Sequence, residues 1–468
     1  MLTPTDARYR AVVIPVPPAE AGISALVEPY QAMIVAQLRA IIDRTERSEY
    51  YPWIDTKIDL VTGGEMPQSH PLLGRDVVSG WVQGRGLETL ARLAAWLAPY
   101  AGDAEVDRLA GRARRLAADL MARLRHARTR NGGHLHFFMT PEGDAYTLGP
   151  DLARLPLALD AASPHGYSDL FTAKGMLAAA HLLGDAAAFE EARDFCLAIY
   201  DGIMAWRFRS DQPQPATGAR VWIGDAYAHG PYMISLGMAA FFAEYEPGPA
   251  SAELGLALAR HVYEGHVARA GRWPGLREGD FVEYVDAAGA PYVDGAGRII
   301  SDPGHALEYV GLFLKFSRAV RRFGGATAAQ LGELSGLEAA MPALLLRSFA
   351  NGWRPAAGGI CKTVDLLTGV PEDDAMPWWS LPETIRAALA AWRVAGEGET
   401  GRACLAALAE AHNAFVTHYV RPQTYLMAVK VRDSRGEVVD EMPAYPDADP
   451  GYHTALSLAD AVDVIVGG

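Results

Sequence analysis

Apolar residues recur at the spacing of one helical face along most of this chain, and that periodicity constrains the fold more than any other feature. Leu87, Leu90, Leu93, Ala94 and Leu97 form one stripe, Leu307, Val310 and Leu314 a second, and Ile385, Ala388, Leu389 and Trp392 a third. The pattern predicts about twelve helices, near 22–47, 86–100, 103–128, 167–183, 186–206, 231–245, 250–268, 305–322, 327–350, 382–396, 399–419 and 453–465. They come in pairs, with short joints inside a pair and long joints rich in Gly, Asp and aromatics between pairs. A helical hairpin cannot bury its own apolar stripe. Six of them become stable by closing on one another, inner helices touching inner helices and outer helices wrapping them. The expected fold is all-α, an (α/α)6 barrel, read as a single domain over 1–468 with 1–20 as an N-terminal extension.

The long joints carry a second pattern. Phe137-Phe138-Met139-Thr140-Pro141-Glu142-Gly143, Val282 to Gly289 and Ala428 to Gly436 alternate side chains around a Gly-containing turn, which predicts short β-hairpins in the loops at one end of the barrel. All inner helices would begin at that end, directly after the long joints. Their unpaired N–H groups and partial positive charge would face a common pocket able to stabilise an oxyanion.

Composition narrows the function classes. Half of the 468 residues are apolar and 21% are charged, the profile of a globular protein with a large core. Asp and Glu outnumber Lys and Arg by 56 to 42, a formal charge of −14 that disfavours nucleic acid as a partner. Cys196, Cys361 and Cys404 lack metal-ligand spacing and are odd in number, which argues against a disulfide framework or a zinc site and fits a reducing cytoplasm. Ala11 to Val16 is too short for a signal-peptide core, and Pro231 to Ala243 is too short to span a bilayer, so neither secretion nor a membrane is expected.

Polar and aromatic residues collect where the inner helices should begin. The segments are Trp81-Val82-Gln83-Gly84-Arg85, Tyr167-Ser168-Asp169, His229-Gly230-Pro231-Tyr232-Met233, Pro303-Gly304-His305, Trp378-Trp379-Ser380-Leu381-Pro382-Glu383 and Gly451-Tyr452-His453. His305 and His453 stand out as two proton-transfer groups delivered to one pocket, since an imidazole titrates near neutral pH. Glu308, three residues after His305, shares its helical face and would orient it or bind a sugar hydroxyl; the plain alternative is helix capping with a surface pair. Glu383 is a candidate buried acid, or an ordinary first-turn complement to the helix dipole. Trp81, Trp378 and Trp379 offer flat faces to sugar C–H groups, with core packing as the alternative, and Arg85 offers a charged donor fork. His134, His136, His261, His266, His412 and His418 carry no partner pattern and read as surface or structural.

In order and spacing these segments resemble the N-acylglucosamine 2-epimerase superfamily, which also contains cellobiose 2-epimerases and mannose-type aldose–ketose isomerases. The resemblance rests on Trp81 to Arg85, on Gly297-Arg298 leading to Pro303-Gly304-His305-Ala306-Leu307-Glu308, on Trp378-Trp379 with Glu383, and on Tyr452-His453. It implies an (α/α)6 barrel acting on an unphosphorylated sugar without metal or cofactor, by proton transfer at carbon 2 through an enediolate. His305 and His453 would be the acid/base pair and Arg85 would sit near the carbonyl oxygen. Glu308 and Glu383 would position sugar and histidine, with Trp81, Trp379, Ser168 and Met233 completing the substrate site.

The departures are local. Asp447-Ala448-Asp449-Pro450 stands where relatives often carry a basic residue before the last histidine, and Leu456 where they often carry Arg. Met233-Ile234 lacks the further His of cellobiose epimerases and mannose isomerases, which favours N-acetylglucosamine/N-acetylmannosamine interconversion over those activities; His229 is left without a role. The resemblance also implies a homodimer. Two readings from other classes stand beside this one. One is an (α/α)6 glycoside hydrolase using paired carboxylates, Glu308 with Glu383 or either with Asp169. The other is a non-catalytic sugar- or partner-binding protein.

Overall fold

The computed structural model describes residues 7–48, 51–149, 151–212, 227–422, 427–439 and 448–467. A short helix α1 (Glu20–Ser24) precedes twelve longer ones: α2 (Val27–Arg47), α3 (Gly80–Trp96), α4 (Ala104–Arg130), α5 (Tyr167–Leu183), α6 (Ala186–Met204), α7 (Gly230–Tyr245), α8 (Pro249–His266), α9 (Pro303–Phe323), α10 (Ala328–Gly352), α11 (Ser380–Ala395), α12 (Glu399–Ala414) and α13 (Ala455–Val466). Helices α3, α5, α7, α9, α11 and α13 pack side by side in a ring, and α4, α6, α8, α10 and α12 back them. The sixth pair joins the two ends of the sequence, because α13 packs on α2. This is the (α/α)6 arrangement expected from the periodicity. Among the described residues no helix is long and apolar enough to cross a membrane.

The first inner helix begins six residues earlier than its periodicity suggests. Gly80, Gly84 and Gly86 lower helix propensity at its start, yet tertiary packing requires small residues there. A Cβ on Gly84 would lie 2.6 Å from the Thr172 backbone nitrogen, and one on Gly175 would lie 2.6 Å from the Gly84 carbonyl oxygen. Two facing glycines thus let α3 and α5 approach more closely than side chains would allow.

The inner helices do begin at one end, and contacts can be followed around the ring. Gly80 of α3 abuts Ser168 of α5, and Gly230 of α7 abuts Tyr167. His229 lies 5.5 Å from His305 between ring centroids, His305 5.4 Å from Trp379, and Trp379 5.6 Å from His453. Tyr452 closes the circuit beneath the Arg85 guanidinium, 4.9 Å away.

Short antiparallel ladders decorate this end. Phe138–Met139 pairs with Ala145–Leu148 around a turn at 140–144, as expected. The other two hairpins form with additional partners. Tyr284–Val285 turns back on 290–292, with the Tyr292 N–H on the Tyr284 carbonyl and the Asp286 N–H on the Ala290 carbonyl, and also pairs with Tyr227–Ala228 from the previous long joint. In the last joint the hairpin is Val431–Arg432 against Val438–Val439, with Met376–Pro377 on its other edge, while Met427–Ala428 pairs back with Val420–Arg421. Alternation marked the hairpins, while the added strands from neighbouring joints, at Tyr227–Ala228 and Met376–Pro377, were not legible from it.

The N-terminal segment is not detached from the ring. Ile14 is buried, and its backbone N–H and C=O both bond the Asn413 side chain. All three cysteines are free and buried.

Candidate active site

Asp302, Pro303 and the residues after them start α9 in the way such residues should. Asp302 caps the helix by accepting the His305 N–H at 3.2 Å, and Pro303 occupies the first turn, where a missing N–H costs nothing. His305 is thereby fixed at the mouth, half-buried. Its Nδ1 faces Glu283 at 3.0 and 3.2 Å and Asp302 at 3.3 Å. Glu283 also accepts from Nε2 of fully buried His229 at 3.0 Å, and Asp302 is paired with Lys362. Burial pulls the His305 imidazole down, but Asp302 and Glu283 outweigh it, so the ring titrates above its ordinary value. The same histidines hold the Glu283 carboxyl well below the usual range despite its burial.

His453 sits in the turn before α13. Asp449 builds that turn by accepting the N–H groups of Tyr452 and Thr454, at 2.8 and 2.9 Å, and Gly451 takes φ +90°. The segment that departs from the family pattern therefore has a structural role. Leu456 packs in the core. His453 Nδ1 lies 2.9 Å from Glu383, whose other oxygen is paired with Arg386, and the Ser457 hydroxyl donates to Glu383 at 3.3 Å. Burial, with Arg85 next, pushes the His453 imidazole down to about 4. Burial raises the Glu383 carboxyl to about 7 against the pull of Arg386.

Both imidazoles thus have Nδ1 occupied by a carboxylate. Both also lie against the Trp379 indole. Gly304 makes room for that ring: a Cβ there would stand 2.7 Å from Trp379 Cη2.

Glu308 is buried, which excludes the surface-pair alternative. Its carboxylate gathers with Glu383 and His453, their donor atoms all within 4.8 Å, rather than serving His305. Arg85 lies over the rings of Phe171 at 4.0 Å, Tyr452 at 4.9 Å and Trp81 at 5.6 Å. Trp81 is buried one turn earlier on α3 and donates to Asp211 at 2.9 Å. Ser168 is fully buried; its N–H, with that of Tyr167, meets the same Asp211 carboxylate. Met233 is buried on α7 in the apolar core, its N–H on the His229 carbonyl. The structure therefore gathers His305, His453, Trp379, Glu383, Glu308 and Arg85, while Trp81, Ser168 and Met233 support the surrounding wall.

Sequence reasoning missed Glu283, His229, Lys362 and Arg386. Glu283 had a usable signal, an acid inside the apolar run Phe281-Val282-Glu283-Tyr284-Val285. Of the histidines read as surface or structural, His134, His266 and His412 are buried with hydrogen-bond partners, the structural case. Two groups here have donor types suited to a metal, His229 with Glu283 and His305, and Glu308 with Glu383 and His453. Lys362 and Arg386 already place positive charge against them.

With this geometry in hand, comparison with known proteins becomes informative. Residues 256–456 match the model of the N-acylglucosamine 2-epimerase family. The match bears out the family resemblance and covers His305, Glu308, Trp379, Glu383 and His453; Arg85, Trp81, Ser168 and Met233 lie outside it. No curated protein matches the sequence significantly. Among solved structures, cellobiose 2-epimerase from Bacillus thermoamylovorans B4167 is similar with a TM-score of 0.61 at 10% identity, over 94% of this chain and 99% of that one. A D-mannose isomerase aligns at a TM-score of 0.57 and 14% identity, over 91% and 97%. An unsaturated glucuronyl hydrolase specific for heparin aligns at 0.50 and 10%, over 94% and 97%. At such identities the likeness establishes the shared barrel alone, and the similarity to the epimerase family rests on the match over residues 256–456.

Proposed function

We propose that this protein is a sugar 2-epimerase or aldose–ketose isomerase acting on an unphosphorylated sugar, with N-acetylglucosamine/N-acetylmannosamine interconversion favoured over mannose isomerase or cellobiose 2-epimerase activity. One observation carries the reading: two imidazoles, each tied at Nδ1 to a buried carboxylate, lie against one indole at the barrel mouth. Neutral His453, with Nδ1–H directed at Glu383, is the base that takes the carbon-2 proton at Nε2. His305, held protonated by Glu283 and Asp302, is the acid. Arg85 supplies positive charge near the developing enediolate oxygen, and Trp379 gives the sugar an apolar face. Delivery of the proton carried by His305 to the opposite face of carbon 2, with the abstracted proton left on His453, gives epimerisation. Return by His453 to carbon 1 gives the ketose. The cytoplasm, a single catalytic unit and a homodimer belong to the same proposal.

A hydrolase reading fits these contacts less well. Glu383 has one oxygen on His453 and Ser457 and the other on Arg386, so both of its oxygens are already engaged within the protein. Asp169 is committed to His134, His165 and the Leu135 N–H. The test is incubation with N-acetylglucosamine, N-acetylmannosamine, mannose and cellobiose in D2O. The expected result is deuterium at carbon 2 of an inverted sugar or at carbon 1 of a ketose; no incorporation into any free sugar, together with hydrolysis of a glycoside, would overturn the proposal.

A further inference from the structure

Away from the mouth histidines, at the start of the second inner helix, three side chains from separate parts of the chain point at one spot. His134 Nδ1 lies 2.9 Å from Asp169 Oδ2 and His165 Nδ1 lies 3.1 Å from the same oxygen. All three donor atoms fall within 4.8 Å of one another. The two rings are 4.9 Å apart and tilted by 45°, so their nitrogens converge without stacking.

Proton bookkeeping places one extra positive charge in the arrangement. The second nitrogen of His134 is only 2.9 Å from the Asp160 carbonyl oxygen, which can only accept, so that nitrogen carries a hydrogen. A neutral His134 then presents its Nδ1 lone pair to a carboxylate oxygen. Two lone pairs at 2.9 Å repel unless something positive lies between them. An imidazolium proton on His134 answers this, and His165 donates its own Nδ1–H to the same oxygen as the neutral tautomer; a divalent cation would supply positive charge at the same place in exchange for these protons.

We propose that His134, His165 and Asp169 form a binding site for a divalent transition-metal ion of the zinc class. Two imidazole nitrogens and one carboxylate oxygen are a borderline-soft donor set suited to that class. Donors around a tetrahedral zinc stand about 3.3 Å apart, so each Nδ1 needs to withdraw from Oδ2 by only a few tenths of an ångström. The ion replaces the Nδ1 protons; His134 keeps its Nε2–H on Asp160, and His165 carries its own on Nε2.

The supporting parts are present. The His134–carbonyl bond is the outer contact that orients a ligating imidazole. Asp169 Oδ1 accepts the Leu135 N–H at 2.7 Å, and the Gly166 N–H reaches Oδ2 at 3.3 Å. His165 is 22% exposed while the other two ligands are buried, which gives an ion a way in and water a fourth position. The nearby cation Arg128 is directed to the Gly133 carbonyl and Glu191. The ion would clamp the loop after α4 and the segment before α5 onto α5 itself, a structural role independent of the proposed sugar chemistry.

The test uses the full chain stripped with chelator, then titrated with Zn2+ and separated from free metal by gel filtration for elemental analysis. Co2+ absorption serves as a parallel probe of tetrahedral nitrogen–oxygen ligation. The unchanged protein and His453→Asn should each retain one zinc per chain and melt at a higher temperature with zinc present. His165→Asn, partly exposed and outside the helix, should fold yet bind at least about tenfold more weakly and gain no melting temperature. No zinc retained by the unchanged protein, or retention untouched by His165→Asn, overturns the proposal. So does an ion lost in His453→Asn, since it would belong to the cluster at the mouth.

Discussion

The two histidine niches at the barrel mouth share a plan and differ in sign. Each imidazole has a carboxylate on Nδ1 and the Trp379 ring beside it. Burial pulls both rings down; around His305 the charged neighbours are Asp302 and Glu283, with Lys362 the opposing cation, and around His453 they include Arg85 and Arg386. One ring is consequently held protonated and the other bare. The difference teaches that two chemically identical histidines are set to opposite protonation by the charges behind them, which is what the proposed acid and base roles require.

Removing either histidine is the strongest way to break this comparison. His305→Asn and His453→Asn should each lower turnover by about 10²–10⁴-fold while leaving the melting temperature nearly unchanged; retention of a tenth or more of the activity by either would remove it from the chemistry. The carboxylates sharpen the comparison by moving opposite limbs of the pH profile. kcat/KM should rise as pH passes through about 7, because Glu383 must ionise to accept the His453 Nδ1–H, and fall at higher pH as His305 loses its proton. Glu383→Gln should flatten the acidic limb. Glu283→Gln should shift the alkaline limb to lower pH, since the anion that raises His305 is gone. Each should cost roughly 10- to 10³-fold in kcat, and identical profiles in both variants would show the niches to be equivalent. The smallest effect is expected from Gly304→Ala, whose new methyl displaces the indole shared by both niches. It should cost about 1–3 kcal/mol of stability in denaturant melts and a few-fold in kcat/KM; a variant of unchanged stability would mean the ring is free to move.

The barrel was legible because periodicity repeats, so errors at single helix ends did not alter the count. His305 and His453 were legible because each stands at a loop–helix joint beside Pro-Gly or Gly-Tyr. The carboxylate partners were harder. Glu283 reaches His305 across a strand pair with residues 227–228, and nothing in a linear sequence gives that register. Glu308 was assigned to the nearer histidine by helical spacing, yet its carboxylate crosses the mouth to join Glu383 and His453. Glycines misled in a similar way: Gly80 and Gly84 lower helix propensity, and only the ring shows that they let α3 and α5 meet.

Closure of the ring by α13 on α2 has a consequence for biogenesis. His453 arrives with the last helix, long after the acid-side niche has been translated, and it docks against elements from the opposite end of the polypeptide. Such remote pairing folds slowly, because the intervening chain must be ordered before the contact is rewarded. A nascent or partly unfolded ring therefore lacks the proposed base, and activity in the proposed reaction would report topological completion.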